Sequence, residues 1–326
     1  MLDIRFERGV HLPAERLWLD PGCSKNLAFV SHAHSDHVGR HAATIATPLT
    51  LQLMKARMGR LKAELHALPF GETRRWENFS IRLLPAGHVL GSAQCFVESV
   101  AGTLLYTGDF KLRHGLAAEP GEFCHAETLV METTFGLPRY IFPPAADVAA
   151  DIIRFCQSAI EDHSVPVLLA YSLGKAQEVL AILSAAGLTT MVHKSIAALL
   201  PVYESAGFHF PGCLDWDPIQ AQECVVLCPP NTVASTDSIA RKRTAVITGW
   251  ALDSSAKYRM KCDAAFPLSD HAGYDDLLKF VELVSPKRVL TLHGYAAEFA
   301  RDLRARGVEA WSLTGPDQLD LPLAFG

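Results

Sequence analysis

The sequence predicts an α/β protein built from two modules. In the first 135 residues, short apolar runs end in His, Asp or Glu, which is the pattern of strands whose ends carry a site. After Gly136, amphipathic helices alternate with apolar strands, which is typical of βα units with a parallel sheet. The first pattern returns at Asp263. We therefore expect a first domain formed by 1–137 and 256–326, an α/β module inserted at 138–255, and one cleft flanked by both.

The elements of the first segment follow from the spacing of its apolar residues. The strand-like stretches are LAFVSHAH at 27–34, FSIRLLPAGH at 79–88, CFVESVAGTLLYTGDF at 95–110 and ETLVMETTFG at 127–136. A helix is predicted at 48–65, where apolar residues recur at intervals of three and four. Polar side chains at the strand ends indicate where a site would lie.

The inserted segment and the tail contain the remaining elements. Helices are predicted at 147–163, 174–187 and 194–207, and strands at 165–172, 189–193, 223–230 and 244–250. In the tail, 269–284 predicts a helix that Ser269 and Asp270 are able to cap. The stretch 287–295 predicts a strand that ends in His.

Composition indicates a folded protein without an overall attraction for polyanions. The 326 residues are 49% hydrophobic and 20% charged, and the net charge is −5 at pH 7. Nucleic-acid binding would therefore need a local basic groove or bound metal. The start of the chain lacks a basic end followed by an apolar run, and no stretch of about 18 apolar residues occurs. We expect neither secretion nor a membrane span.

The eight cysteines are expected to be reduced thiols. They are spread over the whole chain, and several lie in apolar runs such as CVVLC at 224–228. Cys224 and Cys228 have a spacing that suits a metal, but no second Cys or His pair lies close to them in the sequence. This use of cysteine is typical of a cytoplasmic protein.

The motif HAHSDH at 32–37 carries the strongest chemical signal. It places His32, His34, Asp36 and His37 directly after an apolar run. At this chain's own composition, such a motif is expected by chance in roughly one chain in a thousand. Imidazole and carboxylate ligands suit Zn(II) or Mn(II). Four ligands within six residues more than fill one tetrahedral shell, so a two-metal site is plausible.

Further candidate ligands lie at other strand ends. His88, Asp109 and His293 each follow an apolar run and adjoin a glycine. An isolated histidine is more often a structural residue, but the shared context of these three favours a site. Glu132 and His271 have similar positions, although capping or ion pairing explains them equally well, and spacing does not rank these alternatives.

In their order, the motifs HAHSDH, PAGHVLGSA, YTGDF, METTFG, SDHAGY and LHGY resemble those of the metallo-β-lactamase fold, specifically its β-CASP nuclease branch. That branch includes RNA 3′-end processing endonucleases and DNA-repair nucleases. The stretches GLPRYIFPP and AYSLGKAQEVL look like the bacterial ligase-associated DNA exonucleases. The resemblance implies an αββα sandwich with an inserted α/β β-CASP domain. It also implies a DNA exonuclease of DNA repair with two divalent ions, Zn or Mn, and a DNA ligase or helicase partner.

The resemblance also implies roles for individual residues. The first metal would be held by His32, His34, His88 and Asp109, and the second by Asp36, His37, Asp109 and His293. Glu132 and His271 match the family's paired acidic and histidine motifs. Asp20 matches the strand-end Asp that orients a metal ligand.

The mechanism expected from this resemblance is hydrolysis of a phosphodiester by a hydroxide bridging two metals. His271, kept basic by Glu132, would protonate the leaving oxygen, and Asp36 would act through its metal. Single-stranded DNA is the favoured substrate and RNA the alternative. Its backbone would contact Lys111 and Lys175, with the basic runs 241–243 and 257–261 as further candidates.

Three other functions stay open at this stage. His293 is typical of RNA-acting members, although the ligase-associated branch carries His as well, so an RNA-processing nuclease is one alternative. The HAHSDH motif alone also permits a metallo-hydrolase of small thioesters or lactams. A catalytically idle scaffold that pairs with a partner nuclease is the last.

Overall fold

The computed structural model describes residues 2–217, 221 and 223–314. The α/β class is confirmed, and the chain forms two compact units. The first unit takes the chain up to His114, then Ala118–Ile141, and the chain from His271 onward. The second takes Gly115–Ala117 and Phe142–Asp270.

The first unit contains most of the short strands, as the apolar runs predict. The chain begins with β1 (Arg5–Phe6), β2 (Val10–Leu12), β3 (Leu17–Leu19), β4 (Leu27–Phe29), β5 (Ala43–Ala46), α1 (Pro48–Met58) and β6 (Glu64–Ala67). It continues with β7 (Thr73–Arg75), β8 (Phe79–Pro85), β9 (Ala93–Ser99), β10 (Gly102–Tyr106) and β11 (Thr128–Glu132).

The second unit alternates helices and strands, and the chain then returns to the first unit. The second unit has α2 (Ala145–Glu161), β12 (Val165–Leu169), α3 (Lys175–Ala185), β13 (Thr190–Val192), α4 (Lys194–Ala197), α5 (Leu200–Ser205), β14 (Cys213–Asp215), β15 (Val225–Cys228), β16 (Lys242–Ile247), α6 (Ala256–Arg259) and β17 (Ala264–Phe266). Single 3₁₀ segments lie at Pro230–Thr236 and Gly249–Leu252. The first unit ends with α7 (Tyr274–Val284), β18 (Arg288–Leu292), α8 (Ala296–Ala305) and β19 (Ala310–Ser312).

Two sheets pack face to face in the first unit. Their strand orders are β1-β2-β3-β4-β5-β6 and β7-β8-β9-β10-β11-β18-β19. The core between them joins Phe29 of the first sheet to Leu104 and Val130 of the second. The neighbouring residues Leu105 and Leu129 point to the other face, where α7 and α8 cover them. With α1 against β6, the layers are those of an αββα sandwich.

The strand ends of this sandwich bring distant parts of the sequence together. Strands β3, β4 and β5 run parallel, as do β10, β11 and β18, so the carboxyl ends of each set share one edge of a sheet. The predicted site residues follow these ends. They lie after β4 (32–37), after β8 (His88), after β10 (Asp109), at the end of β11 (Glu132) and after β18 (His293).

The second unit is built on a parallel sheet, as the helix and strand alternation predicts. All strand pairs in its order β14-β13-β15-β12-β16-β17 are parallel. Helix α2 buries Val148, Ile152, Phe155, Cys156 and Ala159, which recur at the helical period. The N-cap of α3 is Gly174, whose positive φ of 86° suits glycine. Its amide donates a hydrogen bond to Gln177 Oε1 at 2.7 Å.

Three predicted helices differ from the observed ones. The helix expected at 48–65 ends at Met58, because Gly59 takes a positive φ of 75°. The helix expected at 194–207 is divided into α4 and α5, and α5 has proline in its first turn. Helix α7 begins only at Tyr274 with Gly273 as its N-cap, so Ser269 and Asp270 do not cap it.

The boundary between the units also differs from the expected one. The sequence places the return to the first domain at 256, whereas the second unit continues to Asp270. The physical reason is the pairing of β17 with β16, which makes Ala264–Phe266 the edge strand of the parallel sheet. In the sequence this strand is short and only partly buried, so its apolar pattern is weak.

Two expectations about the chain as a whole concern cysteines and membranes. All eight cysteines are free thiols, as expected. Among the described helices, none combines the length and apolar character that crossing a bilayer requires.

Two valines of the β9–β10 hairpin, one in the core and one in the turn, provide a test of the fold. Val97 is 0% exposed in the core between the sheets, whereas Val100 at the turn is fully exposed. Val97→Ala should lower the free energy of unfolding by about 2 kcal/mol, because it leaves a cavity in the core. Val100→Ala should change it by less than about 0.5 kcal/mol. Urea unfolding measures both, and equal losses would contradict this packing.

Candidate metal centre

Three histidines and one aspartate converge at the strand ends of the first unit. His32, His34, His88 and Asp109 each offer a ligand atom, and these atoms all lie within 4.8 Å of one another. Nδ1 of His34 is 2.9 Å from Nε2 of His32 and 3.2 Å from Nε2 of His88. The Asp109 carboxylate is 3.6 Å from Nε2 of His32 and 3.8 Å from Nε2 of His88.

Glycine allows the loops after the strands to approach this cluster. A Cβ at Gly108, next to Asp109, would lie 2.5 Å from the Ser31 side chain, which adjoins His32. A Cβ at Gly294, next to His293, would lie 2.4 Å from Thr134 Cα. Both glycines also have a positive φ. The loops that carry His32, Asp109 and His293 therefore need glycine at their contacts.

A buried carboxylate, Asp20, connects the cluster to the sheets. Its oxygens accept hydrogen bonds from the Ser31 amide at 2.7 Å, the Ser31 hydroxyl at 2.5 Å and the Tyr106 hydroxyl at 2.9 Å. Nδ1 of His37 is 2.9 Å from the same carboxylate. Since one nitrogen of His37 faces Asp20, the other, Nε2, points to Asp109 at 3.3 Å.

The second predicted ligand set is more open than the first. Nε2 of His37 is 3.8 Å from the Asp36 carboxylate, and the rings of His37 and His293 are 6.0 Å apart. The Asp36 side chain is 78% exposed, and His293 is exposed with a φ of 61°. Of this set, only His37 and Asp109 are in close contact.

Glu132 and His271 form a pair beside the cluster. Glu132 Oε1 is 2.8 Å from Nδ1 of His271 and accepts the Phe110 amide at 2.9 Å. Its other oxygen, Oε2, accepts a hydrogen bond from the Thr134 hydroxyl. The His271 ring lies 4.6 Å from that of His88, between ring centroids. Ligand atoms of Asp109, Glu132 and His271 also lie within 4.8 Å of one another.

Burial and neighbouring charges shift the pKa values in this cluster in opposite directions. Burial, together with the neighbouring histidines, holds the pKa of His32 well below its usual range. Burial also disfavours a charged His37, but Asp109 and Asp20 outweigh it and hold the pKa of His37 well above its usual range. Burial opposes the ionised Asp109, yet His37 and His271 hold the pKa of that carboxyl well below its usual range. The lowered pKa values favour a neutral His32 and an ionised Asp109, the states in which these groups bind metal, whereas the raised pKa of His37 favours its protonated form.

The donor set fits a divalent metal ion. Imidazole nitrogens and a carboxylate are the ligands that Zn and Mn sites use. The ligand atoms of three imidazoles and one carboxylate lie within 4.8 Å of one another, and three of the four residues are buried. The structure thus brings together the four residues of the first predicted set.

The predicted substrate contacts, Lys111 and Lys175, are buried. Lys111 is 5% exposed. Lys175 is 1% exposed, and its ammonium donates to the Leu268 carbonyl at 2.6 Å and lies 3.1 Å from the Asp270 carboxylate. Lys175 therefore has partners within the second unit, and its predicted phosphate contact stays a prediction.

Several residues of the basic runs are paired within the second unit. Lys242 contacts Asp237, Arg243 contacts Asp162, and Arg259 contacts Asp253. Arg241 donates to the Asp162 carbonyl. A role of these runs in nucleic-acid binding stays a prediction.

Sequence reasoning missed several residues that position the site. Tyr106 and Ser31 hold Asp20, Thr134 holds Glu132, and Arg57 donates to the Ala33 carbonyl in the HAHSDH loop. Ser31, Tyr106 and Thr134 lie within three residues of a predicted site residue, which was the available signal. Arg57 lies on α1 and carries no such signal, because its contact is formed only in the fold.

Comparisons with known proteins find metallo-hydrolases and nucleases among the proteins that this chain resembles. A family model described as the Zn-dependent metallo-hydrolase RNA specificity domain matches residues 257–312. The chain is 50% identical over 323 residues to a probable DNA ligase of Opitutus terrae, which covers 98% of this chain and 32% of that protein. It is 27% identical over 302 residues to the 5′ exonuclease Apollo of Rattus norvegicus, which covers 82% of this chain and 50% of that protein. The chain thus spans a third to a half of these relatives.

The fold matches a solved structure as well. A crystal structure of a protein of unknown function from Enterococcus faecalis superposes with a TM-score of 0.61. The match covers 89% of this chain and 79% of that chain at 14% identity, so it supports the fold alone.

The convergence of the four ligands predicts which histidines control metal content. His88→Ala should lower the bound divalent metal at equilibrium, because it removes one of three imidazoles from a shared point. His66→Ala is the matched control, since His66 contacts Glu64 outside the cluster. Metal analysis of both purified variants after dialysis measures the difference. Retention of the full metal content by His88→Ala would contradict the cluster.

Proposed function

We propose that this chain, which belongs to the β-CASP nuclease family of the metallo-β-lactamase fold, is a metal-dependent phosphodiesterase that acts as a DNA exonuclease in DNA repair. One observation carries the proposal. The cluster of His32, His34, His88 and Asp109 adjoins a Glu132–His271 pair, so metal ligands and a candidate proton donor meet at one strand edge.

Two divalent ions, Zn or Mn, are part of this proposal. His32, His34, His88 and Asp109 would hold the first, and Asp36, His37, Asp109 and His293 the second. Bound divalent ions lower the pKa of water toward about 7 and neutralise charge on a phosphate. Asp20 would keep His37 turned toward Asp109.

The Glu132–His271 pair would handle the proton of the leaving group. The contact between Glu132 and Nδ1 of His271 fixes the ring and directs Nε2 away from the carboxylate. Nε2 is then the atom that would deliver a proton to the leaving oxygen. The Phe110 amide and the Thr134 hydroxyl hold Glu132 in place, which keeps this alignment.

DNA is the favoured substrate class, in single-stranded form. The names of both curated relatives refer to DNA ligation or to 5′ exonuclease action. An RNA-processing nuclease is the second candidate, because the family model that matches 257–312 is described as an RNA specificity domain. That segment contains His271 and His293.

A DNA ligase is the partner protein that we favour. We place this chain's activity in the cytoplasm. Support for a ligase comes from the 50% identity to part of a probable DNA ligase. A helicase partner rests on the sequence resemblance alone. A cytoplasmic location agrees with the eight free thiols, because cysteines stay reduced in that compartment.

The direct test is a cleavage assay on matched substrates. Single-stranded DNA and RNA of one sequence, labelled at either end, are incubated with protein plus Mn(II) or Zn(II), and separately with EDTA. We expect metal-dependent, stepwise loss of DNA from one end, which also gives the polarity. Cleavage of RNA alone would favour the second candidate. Cleavage of neither would refute a nuclease and favour a small-molecule hydrolase or a scaffold.

His271 separates proton transfer from metal binding. His271→Ala should lower turnover by about 10²–10⁴-fold while the metal content is unchanged, because the general acid is lost but the ligands remain. His125→Ala is the control, since His125 lies near the Val284 carbonyl instead. Turnover and metal analysis are measured on the same samples. Loss of metal from His271→Ala would make His271 a ligand and refute this role.

A further inference from the structure

A cavity of about 380 Å³ opens beside the metal centre within the first unit. Asp20, Asp36 and His293 contribute to its lining, together with Arg8. Phe6, Val10 and Leu292 supply apolar wall. The cavity therefore joins the open ligand set, Asp36 and His293, to an apolar surface and one guanidinium.

The backbone at Arg8 is fixed against the strand that carries Asp20. The Gly22 amide donates to the Arg8 carbonyl at 2.7 Å. Gly9 has a φ of 147°, and a Cβ there would lie 2.5 Å from Pro21 Cα, so only glycine allows this approach. Arg8 itself has a left-handed φ of 59°. This geometry fixes the main chain from which the Arg8 side chain lines the cavity.

The charge of Arg8 is uncompensated among the described residues. Within 2–217, 221 and 223–314, its exposed guanidinium makes no hydrogen bond or ion pair. By contrast, the nearby Arg5 is paired with Asp3 at 2.9 Å. An arginine presents planar donors that match phosphate oxygens in pairs. An unpaired arginine that lines a cavity beside the proposed phosphodiesterase centre is suited to hold such a group.

We propose that Arg8 and its cavity form a subsite for a phosphate group of the substrate strand. The proposal rests on the proposed nuclease function and adds a binding residue to it. The phosphate binds Arg8 at the rim, and the adjoining sugar contacts the apolar wall of Phe6 and Val10. Two sources share this chemistry: the terminal phosphate of the strand, and an internal phosphate next to the cleaved bond.

The test is binding of labelled single-stranded DNA by fluorescence anisotropy over a series of NaCl concentrations, in EDTA so that cleavage is absent. Three oligonucleotides of one sequence carry a 5′-phosphate, a 3′-phosphate or neither. Wild type is compared with Arg8→Ala and Arg8→Lys. Arg16→Ala is the matched control, because Arg16 is also exposed with a left-handed φ of 54° but lies outside this cavity.

We expect Arg8→Ala to weaken binding about tenfold at low salt, because one charged contact is lost. The slope of log K against log[salt] should fall in magnitude by about 0.7, the value for one single-strand phosphate. Arg8→Lys should keep the slope, since it keeps the charge. Arg16→Ala should match wild type. A loss confined to one phosphorylated oligonucleotide indicates the terminal source, and an equal loss for all three indicates the internal one.

An Arg8→Ala slope equal to that of wild type would overturn the subsite. This failure differs from failure of the proposed function, in which wild type with metal cleaves neither DNA nor RNA. Metal content and thermal melting of Arg8→Ala should equal those of wild type. A lower metal content would assign Arg8 to the structure of the metal centre and would also overturn the subsite.

Discussion

The buried carboxylate of Asp20 is the constraint on which the site depends. It follows β3 and accepts hydrogen bonds from Ser31, which precedes the HAHSDH motif, and from Tyr106 of β10. It also faces Nδ1 of His37. A buried carboxylate is costly unless its oxygens are satisfied, so these groups hold one another in place. Burial, with Asp20 beside it, raises the pKa of Tyr106 well above its usual range. Both sheets are therefore connected at the point where metal ligands are needed.

The sandwich explains why chemistry collects at one edge. Because β10, β11 and β18 are covered on both faces, their side chains alternate between two largely apolar cores. The ionisable residues of the site consequently lie at the strand ends. Parallel neighbours bring those ends together, so Asp109, Glu132 and His293 share an edge although they are far apart in sequence.

The sequence predicted the fold class, and the structure brings the first predicted ligand set together, because both depend on local signals. The HAHSDH motif is visible in the sequence without knowledge of the fold. So is the glycine beside His88 and Asp109 after an apolar run. Other features depend on contacts that spacing does not contain. Lys175 follows a glycine at a helix start, and its ion pair with Asp270 is a tertiary contact that the sequence does not reveal. The loop of Arg8 precedes every recognisable motif, and only the fold places it beside Asp36.

The position of β18 has a consequence for biosynthesis. This strand lies inside the second sheet, between β11 and β19, and pairs in register with β11. A ribosome releases the chain from its amino end, so β11 emerges with one edge unpaired while the whole second unit is translated. The second unit is able to fold first, as a domain does during synthesis. A product truncated before Arg288 would thus carry the HAHSDH loop on an incomplete sheet and lack His293.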